Sequence, residues 1–367
     1  MEPGVSTMDP NLGTREWTKR GMERNVFWMS QYIFGNYEGL TVNLRIAYAL
    51  ITIKFVYYPL LAFIAVPVNL VTIVILSRGK SGLSKCVTRY LVAMAAADLL
   101  VVVFDVILRQ IPIAYRDYFT FVRSIPVCDI HAVLLFTATD CSVWFTVAFT
   151  FDRFVAICCQ KLKNNYCQGR TAAMVLGTVT GLSFLKNITW HFMLTSEYSL
   201  AYAVWFCMPR DRLVNSPVWA GIELAHYLFT PITPFILVLL LNALTIRYVL
   251  MASRSRKRLR APNHGDSARD PEMENRRKSL ILLLVISGNF ILLWALFTVY
   301  YVWNRLRFLG VVVAIPPASM RQLCFMLQLL SCCTNTALYV VTQAKFREQL
   351  RNAMKFPRIL TLKCIQS

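Results

Sequence analysis

The chain has 367 residues, of which 56% are hydrophobic and only 16% are charged. A single soluble core of this size needs less apolar material, so the excess side chains are expected to face lipid. The formal net charge is +20, and basic loops that face an anionic lipid leaflet explain it without a nucleic-acid partner. The composition therefore indicates an integral membrane protein.

Residues 1–52 precede the first long apolar stretch and are predicted to form an extracellular N-terminal arm. They contain no early apolar run followed by a small-residue cleavage site, so we expect the first membrane span to target the chain. Aromatic residues between 25 and 52 favour contact with the membrane surface or with the extracellular mouth of a bundle. A short disordered arm is the alternative.

Seven stretches of the sequence are long and apolar enough to cross a bilayer, which takes about 20 residues. They lie near 53–77, 86–109, 127–158, 171–194, 217–249, 279–304 and 321–342. The sixth carries no charge between 280 and 302, whereas Lys186 and His191 interrupt the fourth. The predicted fold is an all-α membrane protein, with a seven-transmembrane helix bundle over residues 53–343.

The connectors between these spans predict the orientation of the chain. Lys and Arg are unevenly divided between alternate connectors, and the richer side includes the basic loop 253–279. Because positive charge is enriched in cytoplasmic loops, we expect a plasma-membrane protein with its N-terminus outside and its C-terminus inside. In the basic loop, Ser255 and Ser279 lie beside basic residues and are either kinase targets or ordinary solvated serines.

Residues 344–367 are predicted to form a short C-terminal interfacial helix and a cytoplasmic tail. Phe346, Leu350 and Ala353 recur at helical spacing between basic residues, which is typical of a helix that lies in the membrane interface. Cys364, near the end, is a candidate for lipidation.

Among eleven cysteines, one pairing stands out. Cys128 lies at the outer start of the third span, and Cys207 lies in the loop between the fourth and fifth spans. Both face the oxidising side of the membrane, so a disulfide is predicted to tether this loop over the mouth of the bundle. Two unpaired thiols are the alternative.

Ionisable residues inside a bilayer are costly and indicate function. Asp98 lies near the middle of the second span, among small residues that let helices approach closely. Four polar residues lie at comparable depth: Asn69, Ser142, Ser331 and Asn335. This network could hold a sodium ion at Asp98 and Ser142, because oxygen ligands suit hard cations. A structural hydrogen-bond cluster is the alternative, and we expect no other cofactor.

Asp152, Arg153 and Phe154 follow one another at the cytoplasmic end of the third span. A carboxylate beside a guanidinium forms a local ion pair that a partner protein or a helix movement can break. Arg153 lies 25 residues after Cys128, about 37 Å along a helix and so enough to cross the bilayer.

Together these features resemble the rhodopsin-like (class A) G-protein-coupled receptors over residues 53–354. The matching residues are Asn69, Asp98, Cys128, Cys207, Asp152, Arg153, Phe154, Pro234, Phe290, Trp294, Asn335, Tyr339 and Phe346. Within this family, the segments 56–61, 95–98 and 241–242 are most similar to the orphan group around probable G-protein coupled receptor 139. The resemblance implies an activation switch made of Asp152, Arg153, Phe154, Phe290, Trp294, Asn335 and Tyr339.

The sequence also departs from the pattern of this family. Leu296 stands where the family has proline two residues after Trp294, so the kink of the sixth span lacks its usual cause. Thr336 replaces the proline that usually follows Asn335. These differences leave the basal activity open.

The resemblance implies a ligand pocket in the outer half of the bundle. Its predicted residues are Asp105, Arg109, Leu135, Phe136, Asp140, Glu223, His226, Trp294, Phe297, Tyr301 and Gln328. Receptors for amines have an aspartate at the position of Leu135, so that partner for a ligand ammonium is absent. Asp105 and Arg109 stand at i,i+4 and either contact the ligand or pair with each other.

The predicted function is a receptor, not an enzyme, that binds an unknown extracellular small molecule or peptide and activates a cytoplasmic heterotrimeric G protein. The alternative is an ion or solute transporter or channel that uses the intramembrane carboxylates Asp98 and Asp140. An intramembrane enzyme would need a nucleophile with a base, or clustered metal ligands, at one depth. The four histidines of the chain offer little toward such a site.

Overall fold

A computed structural model describes residues 41–79, 82–199, 206–210, 217–259, 271–308 and 314–352. Most of the predicted N-terminal arm (1–40), the middle of the basic loop (260–270) and the tail from 353 onward, with Cys364, lie outside the described residues. Within the described ranges, helices dominate and one small sheet is present.

Among the described residues, seven long helices, labelled α1 to α7, follow the order of the seven predicted spans. Four are α1 (Val42–Ser77), α2 (Lys85–Ala114), α3 (Cys128–Cys158) and α4 (Gly169–Asn187). The fifth, α5, runs from Pro217–Tyr227 through Leu228–Ile232 to Thr233–Leu259. The last two are α6 (Pro271–Phe308) and α7 (Ala318–Thr342). Short helices cover Gln160–Tyr166, Thr189–Met193 and 344–352. The predicted all-α seven-helix bundle is confirmed.

Six of the described helices are long and apolar enough to cross a membrane. The fourth, α4, is not among them, because its 19 residues include several small or polar side chains and Lys186 in the last turn. The predicted fourth span, 171–194, was too long, because the helix ends at Asn187. The predicted first span was too short, because α1 begins at Val42 rather than at 53.

The outside of the bundle is apolar and its interior is partly polar. Large apolar side chains point outward, with Phe63 80% and Leu292 72% exposed. Asp98, Asp140 and Asp152 are instead buried among the helices. A chain surrounded by lipid has no reason to hide apolar side chains, and its charged groups must find partners inside the bundle.

Two helices depart from regular α geometry at the end of the bundle that carries Cys128. In α2, residues Val102–Gln110 form a π-helix, followed by a final α-helical turn that contains Pro112. In α5, Thr230 has extended backbone angles, with φ −151° and ψ 110°. The residue before a proline is pushed away from helical angles, and Pro231 supplies this constraint. Both irregularities lie beside residues of the predicted pocket.

A two-stranded antiparallel sheet lies between α4 and α5. Strand β1 (Leu194–Tyr198) pairs with β2 (Cys207–Pro209), with Leu194 opposite Pro209. Only a loop had been predicted here. A disulfide joins Cys207 to Cys128 at the first residue of α3, as predicted, so the hairpin is fixed to the bundle. The end of the bundle that it covers is called the disulfide end below.

The short helix 344–352 packs against the last turns of α7. Phe346 is buried and its ring centroid lies 6.0 Å from that of Tyr339. The Arg347 Nη1 atom donates hydrogen bonds to the carbonyl oxygens of Val340 and Val341, both at 2.9 Å. These bonds satisfy carbonyl groups that the end of α7 leaves open. The first apolar residue of this predicted interfacial helix therefore anchors it to the bundle.

Gly82, between α1 and α2, has φ +71°, and Gly82→Ala is expected to destabilise the protein by about 1–2 kcal/mol because this backbone region disfavours a Cβ atom. The new Cβ would also lie 2.6 Å from Lys345 Cδ in the terminal helix. We expect a lower thermal unfolding midpoint in detergent. The control is Gly177→Ala in α4, where nothing lies within 4 Å of the added atom. Equal shifts in both variants would contradict this prediction.

Candidate functional site

The end of α3 opposite the disulfide end carries Asp152 and Arg153 and is called the Arg153 end. Arg153 donates to Asp152 Oδ2 through Nε, at 2.9 Å, and through Nη2. Its third nitrogen, Nη1, donates to Ser279 Oγ of α6 at 3.3 Å. The guanidinium therefore joins its own helix to α6. Phe154, the third residue of the predicted switch, is half-buried and contacts Phe151.

Two cysteine thiols complete the surroundings of Asp152. The Cys86 thiol of α2 donates to Asp152 Oδ1 at 3.0 Å, so both carboxylate oxygens have partners. The Cys167 thiol lies 3.6 Å from the Asp152 carbonyl oxygen. Burial, together with the Asp152 carboxylate, raises the pKa of the Cys167 thiol to about 11, so it stays protonated at neutral pH and keeps its donor.

The predicted polar network lies midway along the bundle and centres on Asp98. Ser142 Oγ donates to Asp98 Oδ1 at 2.5 Å, and Asn335 Nδ2 donates to Oδ2 at 2.8 Å. Asp98 therefore joins α2, α3 and α7. Asn69 donates instead to the Cys332 carbonyl oxygen, at 2.8 Å. Asn69 is therefore connected to the polar network through the backbone of α7 and not through Asp98.

The other two polar residues of α7 make different contacts. Ser331 Oγ accepts a hydrogen bond from Trp294 Nε1 at 3.2 Å, which links α7 to α6. The hydroxyl of Thr336, which replaces the family proline, lies 2.5 Å from that of Thr72 in α1. The helix α7 is unbroken at this position. At this position the family proline would remove a backbone donor from α7. Thr336 keeps that donor and adds a hydrogen bond between α7 and α1.

Aromatic rings form a continuous row along the inner face of α6. Phe290 stacks on Trp294 with centroids 5.5 Å apart, and Trp294 meets Phe297 edge-on at 5.4 Å. Phe297 then contacts Tyr301 at 4.5 Å, and Tyr301 stacks on Tyr227 of α5 at 4.2 Å. The row leads from the level of Asp98 toward the disulfide end.

A cavity of about 60 Å³ opens beside this row. Its lining residues are Asp105, Arg109, Leu135, Phe136, Thr139, His226, Tyr227, Thr230, Trp294, Phe297, Tyr301, Phe325 and Gln328. Nine of the eleven predicted pocket residues are therefore brought together around one space. Small-molecule pockets usually have volumes of about 300–1,000 Å³. Side chains that line this cavity must therefore move before a ligand of ordinary size can bind.

Two of the ionisable residues of the cavity, Asp105 and Arg109, form an ion pair. Arg109 Nη1 lies 3.4 Å from Asp105 Oδ2, and Gln110 Nε2 donates to Asp105 Oδ1 at 2.9 Å. The Arg109 guanidinium also lies over the rings of Phe206 and Phe325, at 5.4 and 5.7 Å. The ion pair between Asp105 and Arg109, predicted as one alternative, is therefore formed. Its distance of 3.4 Å is long, and the guanidinium also contacts the two aromatic rings.

Two residues predicted for the pocket, Asp140 and Glu223, are not among the described residues that line the cavity. Asp140 Oδ2 lies 2.5 Å from Lys186 Nζ of α4 and accepts from Asn187 at 2.5 Å. Glu223 pairs through both carboxylate oxygens with Arg305 of α6. Opposite charges attract strongly in a low-dielectric interior, so each carboxylate binds the nearest cation. The two cations, Lys186 and Arg305, are not among the described residues that line the cavity.

The geometry agrees with a comparison of the whole sequence. Residues 68–339 match the family described as 7 transmembrane receptor (rhodopsin family). The chain belongs to this family. The receptor is also 27% identical over 250 residues to probable G-protein coupled receptor 142 of Mus musculus, which covers 66% of the receptor and 57% of that relative. The receptor thus spans little more than half the length of this relative. The similarity to the group around receptor 139 is not confirmed and stays a prediction.

Family membership makes this chain a multi-pass membrane receptor rather than an enzyme, as predicted, and gives no support to a transporter or channel. Sequence reasoning missed Trp190, which contacts Phe136, Trp219 and His226 behind the cavity. It also treated Lys186 only as an interruption of a span. The rule that a charge inside a span needs a partner could have paired Lys186 with Asp140.

Proposed function

We propose that this receptor binds an extracellular small molecule or peptide at the cavity and activates a heterotrimeric G protein at the Arg153 end. In this proposal the protein lies in the plasma membrane, with its N-terminus outside and its C-terminus in the cytoplasm. The observation that carries the proposal is the double role of Trp294. Its ring lines the cavity, stacks on Phe290 and donates to Ser331.

The mechanism is a population shift between two arrangements of α6 and α7. A ligand that displaces Trp294 changes both its stacking on Phe290 and its bond to Ser331, one turn before Asn335. Asn335 holds Asp98, which ties α7 to α3. A ligand acts only through its preference for one arrangement, and a G protein that prefers the same one is coupled to it.

At the Arg153 end, the contact between Arg153 and Ser279 must break before α6 can move away from α3. This contact is a single hydrogen bond of 3.3 Å to an uncharged hydroxyl. Such a bond contributes about 1.5–3 kcal/mol when one partner is charged. At this end α3 therefore holds α6 only weakly, and α6 is one continuous helix through Leu296.

The experiment is G-protein activation in cells that express the wild-type receptor or Arg153→Ala, measured for every G-protein class. We expect basal activation by the wild type and its loss in Arg153→Ala at equal surface expression. Arg153 is also proposed to contact the G protein directly, and the loss of that contact outweighs the release of α6 from α3. The control is Arg347→Ala, which removes the cap on α7 but leaves the contact between α3 and α6. Absence of activation by the wild type in all classes would refute the proposal.

We further propose that Asp98 and Ser142 hold a sodium ion. Both offer oxygen atoms, 2.5 Å apart, and oxygen ligands suit hard cations. The described residues contain no group of three or more His, Cys, Asp or Glu that could hold a metal ion. A single buried carboxylate with hydroxyl and amide neighbours fits a monovalent cation better than a multivalent one.

Sodium is therefore expected to raise the thermal midpoint of the wild type relative to potassium at equal ionic strength. At a sodium concentration about tenfold above its Kd, the gain is about 1.4 kcal/mol. Asp98→Asn removes the charged ligand, so its midpoint should be the same in both salts. A wild-type receptor that is equally stable in sodium and potassium would contradict the site.

A further inference from the structure

Ser279 follows a basic run in the sequence, Arg276-Arg277-Lys278. Basic residues just before a serine are the charge pattern by which one class of protein kinases selects substrates. Arg277 and Lys278 are exposed, and Ser279 is half-buried at the beginning of the membrane-spanning part of α6. The serine thus combines a kinase-like sequence with a position at the Arg153 end.

The same serine touches the guanidinium of the activation switch. Arg153 uses Nε and Nη2 for Asp152 and directs Nη1 to Ser279 Oγ at 3.3 Å. Arg153 is only 8% exposed. A phosphate on Ser279 would therefore contact Arg153 Nη1, the guanidinium nitrogen that does not bind Asp152.

We propose that Ser279 is a phosphorylation site and that its phosphate pairs with Arg153 and holds α3 against α6. A basic-directed serine/threonine kinase transfers the γ-phosphoryl group of ATP to Ser279 Oγ. The new P–O bond replaces the bond to the β-phosphate, ADP leaves, and the hydroxyl proton passes to the catalytic base of the kinase.

The phosphate carries a charge of about −1.5 to −2 and three acceptor oxygens. It replaces a neutral acceptor with an anion, so the hydrogen bond from the Arg153 guanidinium also becomes a pair of opposite charges. The opposing effect is repulsion between the phosphate and Asp152. That effect is the smaller one, because the guanidinium lies between the two anions and Cys86 also donates to Asp152.

The consequence is an inhibitory clamp. With Arg153 bound between Asp152 and the phosphate, α6 is held in place and the G protein loses access to the Arg153 end. This inference rests on the proposed function for the cytoplasmic location of Ser279 and for the role of Arg153. The contact of α3 with α6 does not depend on G-protein coupling, and so the two are tested separately.

The test uses full-length receptor in lipid nanodiscs, treated with ATP and the catalytic subunit of the cAMP-dependent protein kinase. Mass spectrometry should find phosphate on Ser279, absent in Ser279→Ala and retained in Ser255→Ala, whose serine also has basic neighbours. Labelling confined to other residues would overturn the site.

The clamp is read from receptor that carries phosphoserine at 279, introduced by genetic code expansion. We expect a higher thermal midpoint than in unmodified receptor, and no such rise when Arg153→Gln is combined with the phosphoserine. Basal nucleotide exchange on the G protein should fall about fivefold or more. An unchanged midpoint, or an equal rise in the Arg153→Gln background, would overturn the clamp. If exchange is absent from unmodified receptor while the midpoint rises, the proposed function fails and the clamp stands.

Discussion

Lys186→Met is expected to destabilise the receptor by about 3–5 kcal/mol, because it leaves a buried carboxylate without its cation. Asp140 is buried, and Lys186 Nζ lies 2.5 Å from its Oδ2 atom. After the substitution only the Asn187 amide would remain as a described partner. The measurement is the thermal unfolding midpoint of the purified receptor in detergent.

The second variant separates loss of the ion pair from loss of packing. Lys186→Met combined with Asp140→Leu removes both charges and keeps apolar volume, so it should recover most of the lost stability. Asn187, which also donates to the Ser183 carbonyl oxygen at 2.9 Å, keeps one partner in this double variant. A single variant as stable as the wild type, or a double variant less stable than the single, would contradict the role of the pair.

The sequence predicted the number and order of the long helices, because lipid requires long apolar stretches and hydropathy records them directly. Their ends were less predictable. Hydropathy placed the start of α1 at 53, after the polar residues Arg45 and Thr52, whereas backbone hydrogen bonds continue the helix back to Val42. The fourth span was extended past Asn187, since apolar residues continue after the helix ends. Most of them form the short helix Thr189–Met193, and Leu194 begins β1.

The polar layer was predictable for a different reason. A charge inside a span needs partners. The partners of Asp98 are Ser142 and Asn335, and their depths in the membrane can be counted from the ends of their own spans. Which atoms meet is a tertiary matter. Asn69 and Ser331 were assigned to the same network, yet they bond to the α7 backbone and to Trp294.

The pocket shows the same limit. Helical periodicity places residues of one helix on one face, which brought together most of the lining. It does not show which neighbouring helix carries a counter-ion. Asp140 lies one turn beyond Phe136, but Lys186 on α4 binds it, and Arg305 on α6 binds Glu223. Both departures from the predicted pocket are ion pairs between helices.

Trp190 forms the wall between the cavity and the hairpin that covers the disulfide end. It is 1% exposed and its ring centroid lies 5.5 Å from Phe136 and 5.4 Å from His226, two lining residues. Trp219 of α5 contacts it from another side at 6.0 Å. Trp190 thus supports the cavity without being one of its lining residues.

Trp190→Ala is expected to cost about 3–5 kcal/mol, because the large ring is removed from a closely packed site that relaxes only in part. The matched control is Phe192→Ala in the same short helix, whose ring is 63% exposed and should lower the thermal midpoint little. Equal losses in the two variants would show that the short helix, rather than the packed ring, is what matters. If the wall is as described, Trp190→Ala also merges its vacated volume with the cavity of about 60 Å³. A small apolar molecule such as benzene should then raise the midpoint of Trp190→Ala and leave that of Phe192→Ala unchanged.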